Sequence, residues 1–190
     1  MSAFEFFTVL LSFVVSLGVA SLLLAIARLI QESSRVQFSL AYALWAAVIF
    51  DLQVTFWLKS WIYREGFVLR IETSIPPLLL AIIAFITCGL ATPHIPAAGP
   101  IDLRAFHAEQ GRKYQIAYAT FMIVAIFQLW LMSGVATDSS HLVEDSIVLV
   151  VLALIAIVAA VFHRQKWIQI GAPAILLVSA AFFYGRLMEQ

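Results

Sequence analysis

Residues 38–63 read FSLAYALWAAVIFDLQVTFWLKSWIY, an apolar run whose only charged side chains are Asp51 and Lys59. At about 1.5 Å per residue, a helix of this length exceeds the roughly 30 Å hydrocarbon core of a bilayer. Neither glycine nor proline interrupts the run, and its apolar residues do not alternate with polar ones as in a barrel strand. In lipid each backbone amide needs a partner, which a helix supplies from within. The stretch therefore predicts a membrane helix carrying a carboxyl group near its centre.

Five further runs of this kind occur, at 6–30, 74–91, 114–135, 146–162 and 167–187, predicting an all-α membrane protein of six transmembrane helices in a single domain, 1–190. The whole composition agrees. Apolar residues make up 63% and charged residues 12%, against about half and a quarter in soluble domains. Eleven basic and eleven acidic residues cancel. No Gly-rich phosphate loop or basic patch with interleaved aromatics is present, which leaves nucleic acid and nucleotide binding without support. The single cysteine, Cys88, lies inside an apolar run, so neither a disulfide framework nor a thiol pair is available. No basic residue precedes the first run, which is longer than a signal-peptide core and is expected to remain as a helix.

Between the third and fourth runs lies a linker, 92–113, opened by Pro93, Pro96, Gly99 and Pro100. Its amphipathic part, 101–107, predicts a short interfacial helix with Asp102 near its N-terminus, where the helix dipole favours an acid. Three helices precede the linker and three follow, a 3+3 count that gives the halves opposite orientations, as in inverted-repeat transporters. The halves share no convincing sequence match, so the symmetry is one of number. Arg28, Arg35, Arg104, Arg112, Lys113, Arg164 and Lys166 fall on one side of the bilayer. The other side has Lys59, Arg64, Arg70 and Arg186, and its last connection, around Asp138, Glu144 and Asp145, is acidic. This bias predicts a cytoplasmic linker, with both termini outside.

Asp51 is the most informative residue, because a charge at mid-bilayer costs about 2.5–3.5 kcal/mol on insertion scales. Thr55 and Lys59 follow at steps of four, placing all three on one helical face that runs toward the outer interface. Such a stripe suits a wet path, with Asp51 binding a cation or relaying a proton; the competing reading is a structural acid bonded to a neighbouring helix. Gln53 is turned to another face, with Trp57 and Trp61, and Gln128 shares a face of the fourth helix with Tyr118, Phe121 and Ala125. Both amides are expected to bond across helix interfaces, with a contact to solute as the alternative. In the first helix Ser12, Ser16 and Ala20 repeat small residues every four positions, a pattern of close helix packing. Pro76, Pro77 and Pro173 fall near predicted helix starts, where a missing amide donor matters least.

His94, His107 and His163 fall on the linker side and His141 on the other, all expected as solvated residues near headgroups. No HxxH, HExxH or CxxCH spacing points to a metal or haem, and no nucleophile elbow or acid-rich motif points to catalysis. No cofactor, metal or enzymatic activity is expected.

Phe56-Trp57 and Trp61 ending a run that carries Asp51 and Gln53, together with Asp102-Leu103-Arg104 before a histidine and a basic stretch, resemble a group of small, functionally uncharacterised polytopic bacterial inner-membrane proteins. The resemblance implies a cell inner-membrane location and no binding residue. Two functions compete. One is a small transporter or channel for an ion, proton or small solute using Asp51, Thr55 and Lys59. The other is a non-catalytic subunit that assembles with itself or with another membrane protein. Six helices bury few faces by themselves, so homo-oligomerisation is expected in either case.

Overall fold

The computed structural model describes residues 3–62, 71–96, 98–133 and 142–188. Arg64, Arg70, Asp138 and His141, which enter the charge and histidine readings, lie outside the described residues, as do the side chains of Trp61 and Arg186. Six helices appear in order: α1 Ala3–Gln31, α2 Leu40–Ile62, α3 Ile71–Ala91, α4 Leu103–Ser133, α5 Leu142–Val161 and α6 Lys166–Met188. Five of them are long and apolar enough to cross a membrane, and α6 carries a shorter apolar segment, Lys166–Phe182.

Large apolar side chains point outward all around the bundle: Phe13, Leu17, Ile30 and Val161 are each more than 60% exposed. Water would penalise that surface at about 25 cal/mol per Å², whereas lipid does not. The chain is therefore a membrane-embedded helical bundle. Its interior is narrow. α1 buries Phe7, Leu11, Val15, Leu22, Ala25 and Leu29, the three- and four-residue spacing of one helical face. α5 buries mainly alanines, Ala153, Ala156, Ala159 and Ala160, which allow the close approach to α4. α4 packs most extensively on α5 and α3, α1 packs on α3, and α2 on α6. The halves thus pack differently, first helix on third in one and first on second in the other, so the symmetry of number does not extend to packing.

Four features differ from expectation. α4 begins at Leu103 rather than 114, so the amphipathic stretch is no separate interfacial helix but the first turns of a 31-residue helix. At about 46 Å this helix outruns the hydrocarbon core, which is why its first turns tolerate exposed Arg104, Glu109, Arg112 and Lys113. Asp102 caps it, accepting from the amides of Arg104 (2.8 Å) and Ala105 (3.0 Å). The small-residue stripe of α1 is not an internal seam, since Ser16 and Ala20 are exposed and only Ser12 is bonded, by Trp57 Nε1 at 3.2 Å. Because α3 starts at Ile71, Pro76 and Pro77 fall beyond its first turn, and Pro173 also lies inside α6. His107 is buried.

The loop after α1 forms a 3₁₀ turn, Ser33–Arg35, and a two-residue strand β1, Val36–Gln37, that pairs in parallel with β2, Ile101–Asp102. Arg35 Nη2 donates to Pro96 O (2.9 Å) and Arg104 Nε to Phe38 O (3.3 Å) across the same junction. The α1–α2 loop and the α3–α4 linker are thus joined at one end of the bundle.

Candidate functional site

Asp51 is the midpoint of α2 and is only partly buried. Its Oδ1 accepts from Tyr184 OH of α6 at 2.9 Å, and Thr55 Oγ1, one turn along α2, lies 2.9 Å from the same hydroxyl. A tyrosine has one proton to give. With that proton directed at Asp51, Tyr184 can only accept from Thr55, and Thr55 is also within bonding reach of the carboxylate, so both hydroxyls converge on Asp51. Were Asp51 to carry a proton and donate it, both bonds would reverse.

Beyond this chain opens a cavity of about 510 Å³. Asp51, Thr55 and Lys59 line it along one face of α2, and Gln128 of α4 and Asp145 of α5 reach it from across the bundle. Lys59 and Asp145 interact electrostatically. The rest of the wall is mainly apolar, with Phe7, Phe56, Tyr118, Phe121 and Phe182 contributing aromatic rings. Four of the five residues singled out by the sequence therefore face a single void. Gln128 Oε1 and, on α1, Thr8 Oγ1 are buried at this wall with no hydrogen-bond partner among the described residues.

Gln53 does not join them. It is fully buried on the opposite face of α2, where its Nε2 donates to Cys88 Sγ of α3 at 3.1 Å and lies against Gly18 of α1. A Cβ at Gly18 would stand 3.4 Å from this amide and from the α3 backbone, so the three helices meet closely at this point. Gln53 thus belongs to the α1–α2–α3 interface and not to the cavity wall.

A second polar cluster lies toward the joined end, and the sequence reading missed it. Gln169, in the first turns of α6, extends Nε2 to Ala159 O (2.7 Å), a carbonyl in the last turn of α5. That bond supplies a partner at a helix end, where intrahelical donors run out. It also fixes the amide so that Oε1 accepts from Gln115 Nε2 (2.5 Å) and from His107 Nε2 (3.0 Å), both on α4. Since Oε1 can only accept, the imidazole proton sits on Nε2, which leaves Nδ1 to accept from Tyr114 OH. Gly111 makes the arrangement possible, because a Cβ there would stand 3.2 Å from His107 Nδ1. Tyr114 and Gln115 are fully buried and Gln169 nearly so, and His163 is near enough to influence His107. Among the described residues no group of histidine, cysteine and carboxylates is arranged to hold a metal. The bonds run among α4, α5 and α6, and none of the cluster's side chains lines the Asp51 cavity, so its assigned role is to tie these helices together.

No family model, curated protein or solved structure matches the chain. What the site does is read from its geometry.

Proposed function

We propose that the protein is a small membrane transporter whose solute site is the Asp51 cavity. The observation that carries this reading is the void of about 510 Å³ reaching a carboxyl group at the midpoint of a helix long and apolar enough to cross a membrane. A carboxylate that serves only as structure is expected to be enclosed by partners, because an open approach spends its insertion cost without return. Thr55, Lys59 and Gln128 add hydrogen-bonding groups to the same wall. The test is flux of protons, inorganic cations and organic solutes in proteoliposomes. Asp51→Asn keeps the shape and removes the titration, and it should abolish flux while leaving folding intact. Normal flux through well-folded Asp51→Asn protein refutes the reading.

Assembly with a second copy is a compatible property, favoured by the exposed small residues Ser16 and Ala20 on the outer face of α1. Sizing in nanodiscs checks it: Ala20→Leu should shift a dimer to monomer, and a strictly monomeric wild type would exclude it. We further place the protein in a bacterial inner membrane. The joined end, with Arg28, Arg35, Arg104 and Arg112, is assigned to the cytoplasm by its basic charge. A reporter active only in the cytoplasm should be silent when fused after the C-terminus, and activity there would reverse the orientation.

A further inference from the structure

We infer that the solute of this cavity is a lipophilic organic cation that exchanges with a proton on Asp51. The inference rests on the reading of the cavity as a solute site and adds the class of molecule.

Charge is the first argument. Among the described side chains lining the cavity, the titratable ones are Asp51, Lys59, Asp145 and Tyr118. Two carboxylates face one ammonium. Lys59 and Asp145 act on each other, and among the described residues lining the cavity no further cation stands against Asp51. An anion would add to that surplus; a monocation removes it. The groups facing Asp51 from other helices, Tyr184 of α6 and Tyr118 of α4, are phenols. No cation is supplied from α1, α3, α4 or α6 among the described cavity-lining residues.

Size and wall chemistry give the second argument. A bare inorganic cation needs about six or more oxygen ligands, or a retained water shell. Bonded to Asp51 or to its phenol partner are only two described hydroxyls, Thr55 and Tyr184, and with the unpartnered oxygens of Gln128 and Thr8 elsewhere on the wall the set still falls short of such a shell. A void of about 510 Å³ falls in the range of organic ligands. Its walls are aliphatic and aromatic, and the rings of Phe7, Phe56 and Phe121 suit a cation whose charge is spread over an apolar body.

Exchange follows from position. At mid-bilayer a carboxylate must be neutralised by a proton or by a cation, and one carboxyl group accepts one of them at a time. Asp51 in its acid form plus a cation becomes the carboxylate–cation pair plus a released proton. The Thr55–Tyr184 chain reorients with the change, since Tyr184 donates to the carboxylate form.

The test uses tetraphenylphosphonium as the cation and triphenylphosphine oxide as a neutral analogue of related shape, with the full chain in micelles and protein-free micelles as the blank. The cation should bind, with an affinity that falls about tenfold per pH unit on the acid side, where one proton competes for one site. Asp51→Asn should weaken the cation by at least about thirtyfold, the lower range for removing one partner of a desolvated charge pair, and leave the neutral analogue unchanged. Lys59→Gln, which removes the opposing charge, should strengthen the cation severalfold. This second variant keeps the inference open to refutation should Asp51→Asn fold poorly. Equal binding of both ligands, with no response to either variant, overturns the inference and leaves the cavity as a solute site without charge selection. Absence of binding, with proton flux still dependent on Asp51, overturns it in favour of a water-filled proton path. Loss of both binding and Asp51-dependent flux removes the transport reading as well.

Discussion

Replacing Gln169 by leucine keeps the volume of the side chain and deletes the hub of the buried cluster. Three groups lose their partner: Ala159 O, His107 Nε2–H and the Gln115 amide. In soluble proteins each orphaned group costs about 1–3 kcal/mol, whereas interhelical bonds in membranes average nearer 0.6 kcal/mol, because the unfolded helices find other partners. Gln115 is fully buried and its Oε1 is already without a partner, so little local rearrangement is available. The expected loss is about 2–4 kcal/mol, or about 30- to 1,000-fold in the unfolding constant. Reversible unfolding of purified protein by SDS in mixed micelles, followed by far-UV circular dichroism, reads it. Adding Gln115→Leu to the variant removes one of the orphans, so the double variant should be less destabilised than the sum of the singles, by about 1 kcal/mol. A Gln169→Leu protein within about 0.5 kcal/mol of wild type refutes the assignment of the cluster as a bonded hub.

Gly111→Ala should lose about 1 kcal/mol, although the same change in an open helix gains about that much, since the new Cβ meets an imidazole bonded on both sides; a net gain in the same titration would mean the ring gives way. Gln53→Leu should be neutral or slightly stabilising, because its amide nitrogen has only a sulfur acceptor and its Oε1 none among the described residues, and a loss above about 2 kcal/mol would reveal an unseen partner. Cys88 is the sole cysteine and has no exposed surface, so maleimide should label it only on unfolding; fast labelling of the folded protein would place α3 wrongly. Asp102→Ala should cost about 1 kcal/mol through the lost cap of α4, measured by the same unfolding, and no change would show the cap to be idle.

The helices were legible because an apolar run long enough to cross a bilayer has few alternatives to a helix. The start of α4 was hidden by Arg104, Glu109, Arg112 and Lys113, which break the hydropathy of its first turns. A signal was nevertheless present. Leu103, His107, Gly111, Tyr114, Gln115 and Tyr118 recur at helical spacing, and all are buried, so a stripe mixing apolar and polar residues continued the helix backward through the supposed linker. Asp51, Thr55 and Lys59 were legible as one face because that follows from spacing along a single helix. Tyr184 was not, since the partner of a carboxyl on α2 depends on how far α6 slides along it, and local sequence carries no record of that offset. That the Ser12, Ser16 and Ala20 stripe lies largely on the outside of the bundle was hidden for a related reason: periodicity identifies a face without saying what covers it.

The pairing of Val36 with Ile101 and of Gln37 with Asp102 has a consequence for the order of assembly. A parallel ladder between segments some 65 residues apart closes a long loop, and no hydrogen bond in it exists until the later segment has been made. At about 5–20 residues per second, translation leaves the earlier segment without its ladder partner for about 3–13 s. The ladder is therefore absent while α1, α2 and α3 are being made, and it cannot guide the first placement of α1 and α2 in the bilayer.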